Sequence, residues 1–110
     1  RKSFHVESGM VFESNHDVAM LRNGPYPEYL KKRILGTRGH LSNLETARCL
    51  ARMNKKCGMH VFLAHLSQHN NCPDLALSTV EKVLEQQGTR LDQDLFLHLA
   101  HPSDTVSFSL

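Results

Sequence analysis

Four apolar runs along the chain predict strands. Residues 9–13 (GMVFE) and 59–64 (MHVFLA) are almost continuously apolar, which is typical of strands covered on both faces. Residues 95–100 (LFLHLA) predict a third strand, and residues 105–110 (TVSFSL) predict a fourth that pairs with it through a turn at 102–104. The chain therefore supplies enough strands for one small sheet.

A helix between the first two strands has the clearest start signal. Ser42 and Glu45 have the spacing of a capping box, in which each side chain accepts a hydrogen bond from a free amide of the first turn. The apolar stripe at helical spacing then comprises Leu44, Ala47, Leu50, Ala51 and Met53. These signals predict a helix whose apolar side faces a core.

Three other segments have helical signals. Residues 16–23 predict one or two turns before the breaker Asn-Gly-Pro, and residues 27–35 predict a short helix between Pro27 and Gly36. Residues 73–88 have a proline start, an apolar side and a closing glycine. The order of strand, helices, strand, helix and strands predicts an α/β fold with at least one parallel strand pair.

The composition is that of a folded domain, with 40% hydrophobic and 22% charged residues among 110. No apolar stretch is long enough to span a bilayer, so no membrane partner is expected. Three cysteines, Cys49, Cys57 and Cys72, lack the spacing of a disulfide framework and favour a reducing, cytoplasmic setting.

Charge is unevenly spread along the chain, although the net charge is only +2. Residues 1–56 hold eleven Lys and Arg against five Asp and Glu, whereas residues 57–110 hold two against six. The basic half favours either a polyanion partner or ordinary solvated helix faces. Charge alone leaves both interpretations open.

Polar and ionisable residues follow the first two strands at the points where the strands end. Residues 13–17 (ESNHD) follow the first strand, residues 65–71 follow the second, and His40 precedes the capping box. In parallel α/β sheets, functional groups collect beyond the carboxyl ends of the strands. We therefore expect Glu13, His40 and His65 to converge on one edge of the sheet.

Structural roles for the same residues remain open at this point. Glu13 and Asp17 could cap the following helical turn, and His65 could be a structural histidine at a strand end. A third interpretation is a structural zinc site, because His65, His69 and Cys72 have the spacing of zinc ligands. Cys57 or His60 could supply the fourth ligand.

Two motifs in the chain resemble a known family. The segments ESNHDVAMLRNGPYPEYLKKRILGTRGHLSN and VFLAHLSQHNN, the latter followed by PDLAL, resemble the C-terminal part of metallo-β-lactamase-fold hydrolases, with the YycJ-like branch as the nearest match. The resemblance covers about residues 9–88. It implies that residues 1–110 form a single partial domain, the C-terminal half of an αββα metallo-β-lactamase sandwich.

The resemblance also implies roles for site residues. His65 corresponds to the family's last histidine metal ligand, and Glu13 and His40 correspond to a catalytic pair in which the carboxylate orients a proton-donating histidine. The motif residues expected at the rim, as groups that support the metal site or position the substrate, are Asn15, His16, Asp17 and Asn70.

The family's first metal motif, His-x-His-x-Asp-His, is absent from the chain. The resemblance therefore implies that the intact protein binds a divalent metal, Zn²⁺ or Mn²⁺, whereas this chain alone holds none tightly. A missing N-terminal half or another chain would supply the other ligands.

The implied function is that of the C-terminal portion of a metal-dependent phosphodiesterase or nuclease. It would act on DNA in the manner of a 5′–3′ exonuclease through metal-activated water, and this chain would be inactive alone. The alternatives are a non-catalytic nucleic-acid-binding module that uses the basic half, and a small zinc-stabilised domain.

Overall fold

The computed structural model of the protein describes residues 3–6, 9–36, 39–53 and 58–100. The strands in these residues are β1 (Ser3–Val6), β2 (Gly9–Glu13), β3 (Met59–Ala64) and β4 (Leu95–Leu99), which form one sheet in the order β1-β2-β3-β4. β1 is antiparallel to β2, whereas β2–β3 and β3–β4 are parallel pairs. The predicted α/β arrangement with a parallel pair is confirmed. The strand predicted at 105–110 and its turn lie outside the described residues.

The helices fall where the sequence signals placed them. They are α1 (Val18–Asn23), α2 (Glu28–Leu35), α3 (Asn43–Arg52) and α4 (Pro73–Gln86). The capping box at the start of α3 is formed, because the Ser42 hydroxyl accepts from the amide of Glu45 at 3.1 Å and the Glu45 carboxylate accepts from the amide of Ser42 at 2.9 Å. In the described part of the chain, no helix has the length and apolar character needed to cross a membrane.

Helices α3 and α4 pack on one face of the sheet and form the core with it. Buried side chains from the sheet and the two helices contact each other there: Phe12, Ala47, Cys49, Leu50, Val61, Leu63, Ala76, Val80, Leu84 and Leu95. Burying each of the larger of these side chains contributes about 1.5–3 kcal/mol. This packing fixes α3 and α4 against the strands whose ends carry the motif residues.

The prediction of a buried apolar stripe on α3 is wrong for one residue. Leu44 is 37% exposed, whereas the polar residues Asn43 and Thr46 are buried on the same helix. The reason is that the first turn of α3 faces the polar ends of the strands, and only its later turns face the apolar core. Burial of polar residues at this position indicates that the start of α3 belongs to a site.

The other face of the sheet has a row of aromatic rings. Side chains alternate along a strand, so His60 and Phe62 of β3 point away from α3 and α4, as do Phe96 and His98 of β4. Nδ1 of His60 lies 2.8 Å from Nε2 of His98, and the four rings stack with centroids 4.7–5.0 Å apart. All four side chains are partly exposed. The sheet therefore has a second face suited to packing.

We expect Ser42→Ala to lower the free energy of unfolding by about 1 kcal/mol, because the first turn of α3 loses the acceptor for the Glu45 amide. Urea unfolding followed by circular dichroism measures the change. Ser78→Ala is the matched control, since Ser78 is exposed within α4, and it should cost less than about 0.5 kcal/mol. Equal losses in the two variants would contradict the capping role.

Candidate active site

The site is built where two parallel strands end side by side. Glu13, the last residue of β2, pairs in register with Ala64, the last residue of β3, and His65 follows immediately. The loop before α3 brings His40 to the same edge. Glu13 is only 4% exposed, and its Oε2 accepts a hydrogen bond from Nδ1 of His40 at 3.0 Å. A buried carboxylate thus meets a half-exposed imidazole.

Every polar group of Glu13 near this edge has a partner. Its Oε1 accepts from the amide of Leu41 at 2.9 Å, and its main-chain carbonyl accepts from the hydroxyl of Thr46. The amide of the next residue, Ser14, donates to the carbonyl of Ala64 at 2.9 Å. The carboxylate is therefore held in one orientation and in turn orients the ring of His40. The open alternative, in which Glu13 caps a helix, is wrong.

His65 lies beside the same carboxylate. Its Nδ1 is 3.8 Å from Oε2 of Glu13, and its side chain is 53% exposed. Its φ of +58° is in the left-handed region, which is costly for a residue with a Cβ and is often found at functional sites. The amide group of Asn15 donates to the carbonyl of His65 at 3.0 Å and helps to hold that turn. The structure thus brings Glu13, His40 and His65 together at one edge.

Asn15 and Asp17 tie the segment after β2 to its neighbours. Asn15 donates its main-chain amide to Leu41 and accepts from the amide of Ser67, at 2.9 and 2.7 Å. Asp17 caps α1, because its Oδ2 accepts from the amide of Met20 at 3.0 Å. The capping role that the sequence left open for Asp17 is the one the structure has.

His16 is buried behind the rim, with 1% of its surface exposed. Its Nδ1 lies 3.3 Å from Oδ1 of Asn15, and its Nε2 has no hydrogen-bond partner among the described residues. Desolvation by burial lowers the pKa of His16, and the nearby His40 acts in the same direction. His16 therefore favours the neutral state.

A buried network of amides joins the three site segments, and the sequence analysis missed it. The side-chain nitrogen of Asn71 donates to the carbonyls of Ser14 and Asn15 and to Oδ1 of Asn43, at 2.9–3.1 Å. Oδ1 of Asn43 also accepts from the hydroxyl of Ser14 at 2.6 Å. The side-chain nitrogen of Asn43 donates to Oδ1 of Asn71 at 2.8 Å. Polar residues in motif loops are usually assigned to the surface, so no simple pattern marks this network.

An open cleft of about 500 Å³ adjoins the Glu13–His40 pair. His40 forms part of its wall, so the cleft and the pair share a side chain. Residues from α2, its preceding loop and the two motif loops also line it, among them Asn15, Tyr26, Arg33, Ser67 and Asn70. Asn70, expected at the rim, is 2% exposed in this wall, and its Oδ1 has no hydrogen-bond partner among the described residues.

The described side chains do not form a complete metal centre. Among residues 3–6, 9–36, 39–53 and 58–100, no three His, Cys, Asp or Glu side chains group so as to hold a metal ion. The rival zinc set of His65, His69 and Cys72 therefore does not converge. His60, suggested as its fourth member, pairs with His98, and Cys57 lies outside the described residues.

Two curated relatives match most of the chain. It is 42% identical over 95 residues, or 86% of its length, to exodeoxyribonuclease YycJ of Bacillus anthracis. It is 37% identical over 99 residues, or 90% of its length, to exodeoxyribonuclease WalJ of Streptococcus pneumoniae serotype 2. The chain is a homologue of the YycJ/WalJ exodeoxyribonucleases. The predicted YycJ-like resemblance is confirmed.

The homology covers only part of these relatives. The chain spans 36% of the length of YycJ and of WalJ, in their C-terminal region. No family model and no solved structure matches the chain. The chain therefore corresponds to the C-terminal region of YycJ and WalJ. The metallo-β-lactamase sandwich remains a prediction.

We expect Asn71→Ala to destabilise the protein by about 1–3 kcal/mol, because the buried carbonyl of Ser14 and the buried side-chain nitrogen of Asn43 each lose a hydrogen bond to Asn71. Gln68→Ala is the matched control, since Gln68 is exposed in the same loop and should change stability by less than about 0.5 kcal/mol. Urea unfolding measures both. A cost for Asn71→Ala no larger than that of the control would show that the network is not structural.

We expect stability to fall as the pH drops below about 6.5, the ordinary pKa of a histidine. Because the pKa of His16 is lower in the folded state than in the unfolded state, the unfolded chain is protonated first as the pH falls. Protonation therefore stabilises the unfolded state relative to the folded state. Burial also lowers the pKa of His98, which adds a loss of the same sign. Urea unfolding at pH 7.5 and 5.5 should show a smaller loss in His16→Gln than in the unsubstituted protein. An equal loss would contradict this role.

Proposed function

We propose that this chain is the C-terminal part of a metal-dependent DNA exonuclease, and that Glu13 and His40 handle the proton in its reaction. The observation that carries the proposal is the buried Glu13 carboxylate, which holds the half-exposed ring of His40 at 3.0 Å beside an open cleft. The exodeoxyribonuclease names of the relatives YycJ and WalJ support DNA as the substrate.

His40 would act as the general acid. The carboxylate of Glu13 accepts from Nδ1, which leaves Nε2 of His40 as the atom that exchanges a proton with the substrate. Water attacks phosphorus and releases one proton to solvent, the bond from phosphorus to the leaving oxygen breaks, and that oxygen takes the proton from Nε2 of the doubly protonated His40 ring, which regains a proton from solvent. Glu13 keeps the ring oriented throughout, because both of its carboxylate oxygens are already engaged within the chain.

His65 would contribute one ligand to a divalent metal, Zn²⁺ or Mn²⁺. An exposed imidazole at a strand end, 3.8 Å from a carboxylate, has the chemistry of such a ligand. A bound metal would polarise a phosphoryl oxygen and lower the pKa of water. Because catalytic zinc needs about three protein ligands, the others would come from the part of the protein that this chain lacks.

The aromatic face of the sheet supports a second layer of the fold. His60, Phe62, Phe96 and His98 form a stacked, partly exposed row on the side opposite α3 and α4. A second sheet packed on this row would complete an αββα metallo-β-lactamase sandwich. Most of the length of YycJ and WalJ lies outside the matched region and is sufficient to supply it. The proposed location is the cytoplasm, which fits three cysteines without disulfide-framework spacing.

In the intact protein, we expect Glu13→Gln and His40→Ala to reduce the rate of DNA hydrolysis by about 10²–10⁴-fold, the usual contribution of general acid–base catalysis. DNA binding should change by only a few-fold. Release of nucleotides from DNA with Mn²⁺ or Zn²⁺ measures the rate. His65→Ala should in addition lower the metal content of the purified protein, and the 110-residue chain alone should be inactive.

Glu28→Gln is the matched control for this experiment, because Glu28 lies exposed on α2 and does not line the cleft, and its carboxylate lies 3.8 Å from the ammonium of Lys31. It should retain full activity. An intact protein that hydrolyses no DNA with any divalent metal would overturn the proposed function. Activity retained in both Glu13→Gln and His40→Ala would overturn the proposed roles while leaving the nuclease assignment in place.

A further inference from the structure

We propose that the cleft beside His40 is a nucleotide subsite, which holds the nucleotide adjoining the scissile phosphate through base stacking on Tyr26 and a phosphate contact from Arg33. This inference rests on the proposed nuclease function and adds to it the residues that select the substrate. Neither residue belongs to the Glu13–His40 pair or to the proposed metal site. Their role follows from where the fold places them.

The cleft is continuous with the catalytic pair. His40 lines the cleft and also bonds Glu13, so a group bound in the cleft lies next to the ring that would transfer the proton. The loop that brings His40 to this place starts at the end of α2, and the amide of His40 donates to the carbonyl of Ile34 at 3.2 Å. A Cβ on Gly39 would collide with the same carbonyl, so only glycine permits this close return. The part of the cleft wall that α2 forms and the imidazole ring of His40 are therefore held in fixed positions relative to each other.

Tyr26 has the form of a stacking platform. It lies between Pro25 and Pro27, whose rings restrict the backbone on both sides. Its own ring is partly buried in the cleft wall and lies 6.2 Å from the ring of His69, at a tilt of 54°. A tyrosine held in this way loses little conformational freedom when a base stacks on it. Stacking on aromatic side chains is the usual way in which proteins hold an unpaired base.

Arg33 supplies positive charge where a phosphate would lie. It lines the cleft, and within the described part of the chain no carboxylate lies within salt-bridge distance of its guanidinium. The adjacent lysines differ from it, because Lys31 is buried with its ammonium 2.7 Å from the carbonyl of Arg22, whereas Lys32 is exposed and does not line the cleft. An unpaired guanidinium is well suited to a phosphate oxygen.

The remaining wall is polar on one side and apolar on the other. Leu30 and Ile34 of α2 provide the apolar part, and Asn70 provides an amide whose Oδ1 is buried without a described partner. A cleft of about 500 Å³ lies within the range of about 300–1,000 Å³ found for small-ligand sites. A ring platform, an apolar side, an amide and an unpaired cation together match a nucleoside with its phosphate.

The test compares two DNA substrates in the intact protein, one complete and one whose two end nucleotides lack bases. The unsubstituted protein should hydrolyse the complete substrate with a kcat/KM about tenfold higher than the abasic one. Tyr26→Ala should hydrolyse both equally well, while Tyr26→Phe should keep the preference. Arg33→Ala should raise KM by about tenfold on both substrates and reduce the salt dependence of DNA binding by about one phosphate contact.

Matched controls lie next to each residue. Tyr29 is 72% exposed on α2, and Lys32 is exposed beside Arg33, so Tyr29→Ala and Lys32→Ala should behave as the unsubstituted protein. Circular dichroism confirms that each variant is folded. An active protein in which Tyr26→Ala keeps the base preference and Arg33→Ala matches Lys32→Ala would overturn the subsite, while leaving the nuclease proposal intact.

A binding measurement separates the two proposals if no DNA is hydrolysed. Titration calorimetry with thymidine 5′-monophosphate should show binding that Tyr26→Ala and Arg33→Ala each weaken by about tenfold and that Tyr29→Ala and Lys32→Ala leave unchanged. Inorganic phosphate should bind more weakly and depend on Arg33 alone. Absence of nucleotide binding, or equal binding in all variants, would overturn the subsite independently of the reaction.

Discussion

The buried amide network of Asn43, Asn71 and Ser14 is the constraint on which the site depends. The loop after β2, the start of α3 and the loop after β3 meet there, and each contributes buried polar groups: the hydroxyl and carbonyl of Ser14, and the side-chain amides of Asn43 and Asn71. Leaving such groups unpaired costs about 1–3 kcal/mol apiece, so the two asparagines hold the loops in one arrangement. That arrangement sets Glu13 level with Ala64 and directs His40 to its carboxylate. The positions of the site loops thus depend on buried amides as well as on the strand pairing.

The helices, β2 to β4 and the convergence of the site residues could be predicted from the sequence, whereas β1 was missed. The capping box at Ser42 and Glu45 marks the start of α3, and the apolar run at 59–64 marks β3. The convergence of Glu13 and His65 follows from one topological rule, since parallel strands place their carboxyl ends on the same edge.

The surroundings of the site could not be predicted, because they depend on which face each residue presents after folding. Leu44 and Thr46 both fit an ordinary helix, yet the apolar one is exposed and the polar one is buried, since the start of α3 faces strand ends rather than core. Arg33 and its neighbour Lys32 look equivalent in sequence and are both exposed, and only the fold shows that Arg33 lines the cleft whereas Lys32 does not.

The site divides into a part that this chain completes and a part that it does not. Both carboxylate oxygens of Glu13 bond groups within the chain, and the cleft wall is formed from the same loops, so the proposed proton-transfer pair and the proposed nucleotide subsite both lie within the described residues. The proposed metal site is different, because His65 alone could not hold a metal tightly and other ligands would be needed. Its strained turn, with φ at +58°, is held by Asn15 of the completed part. In the proposed metal site, His65 would therefore be oriented by this chain before the other ligands are supplied.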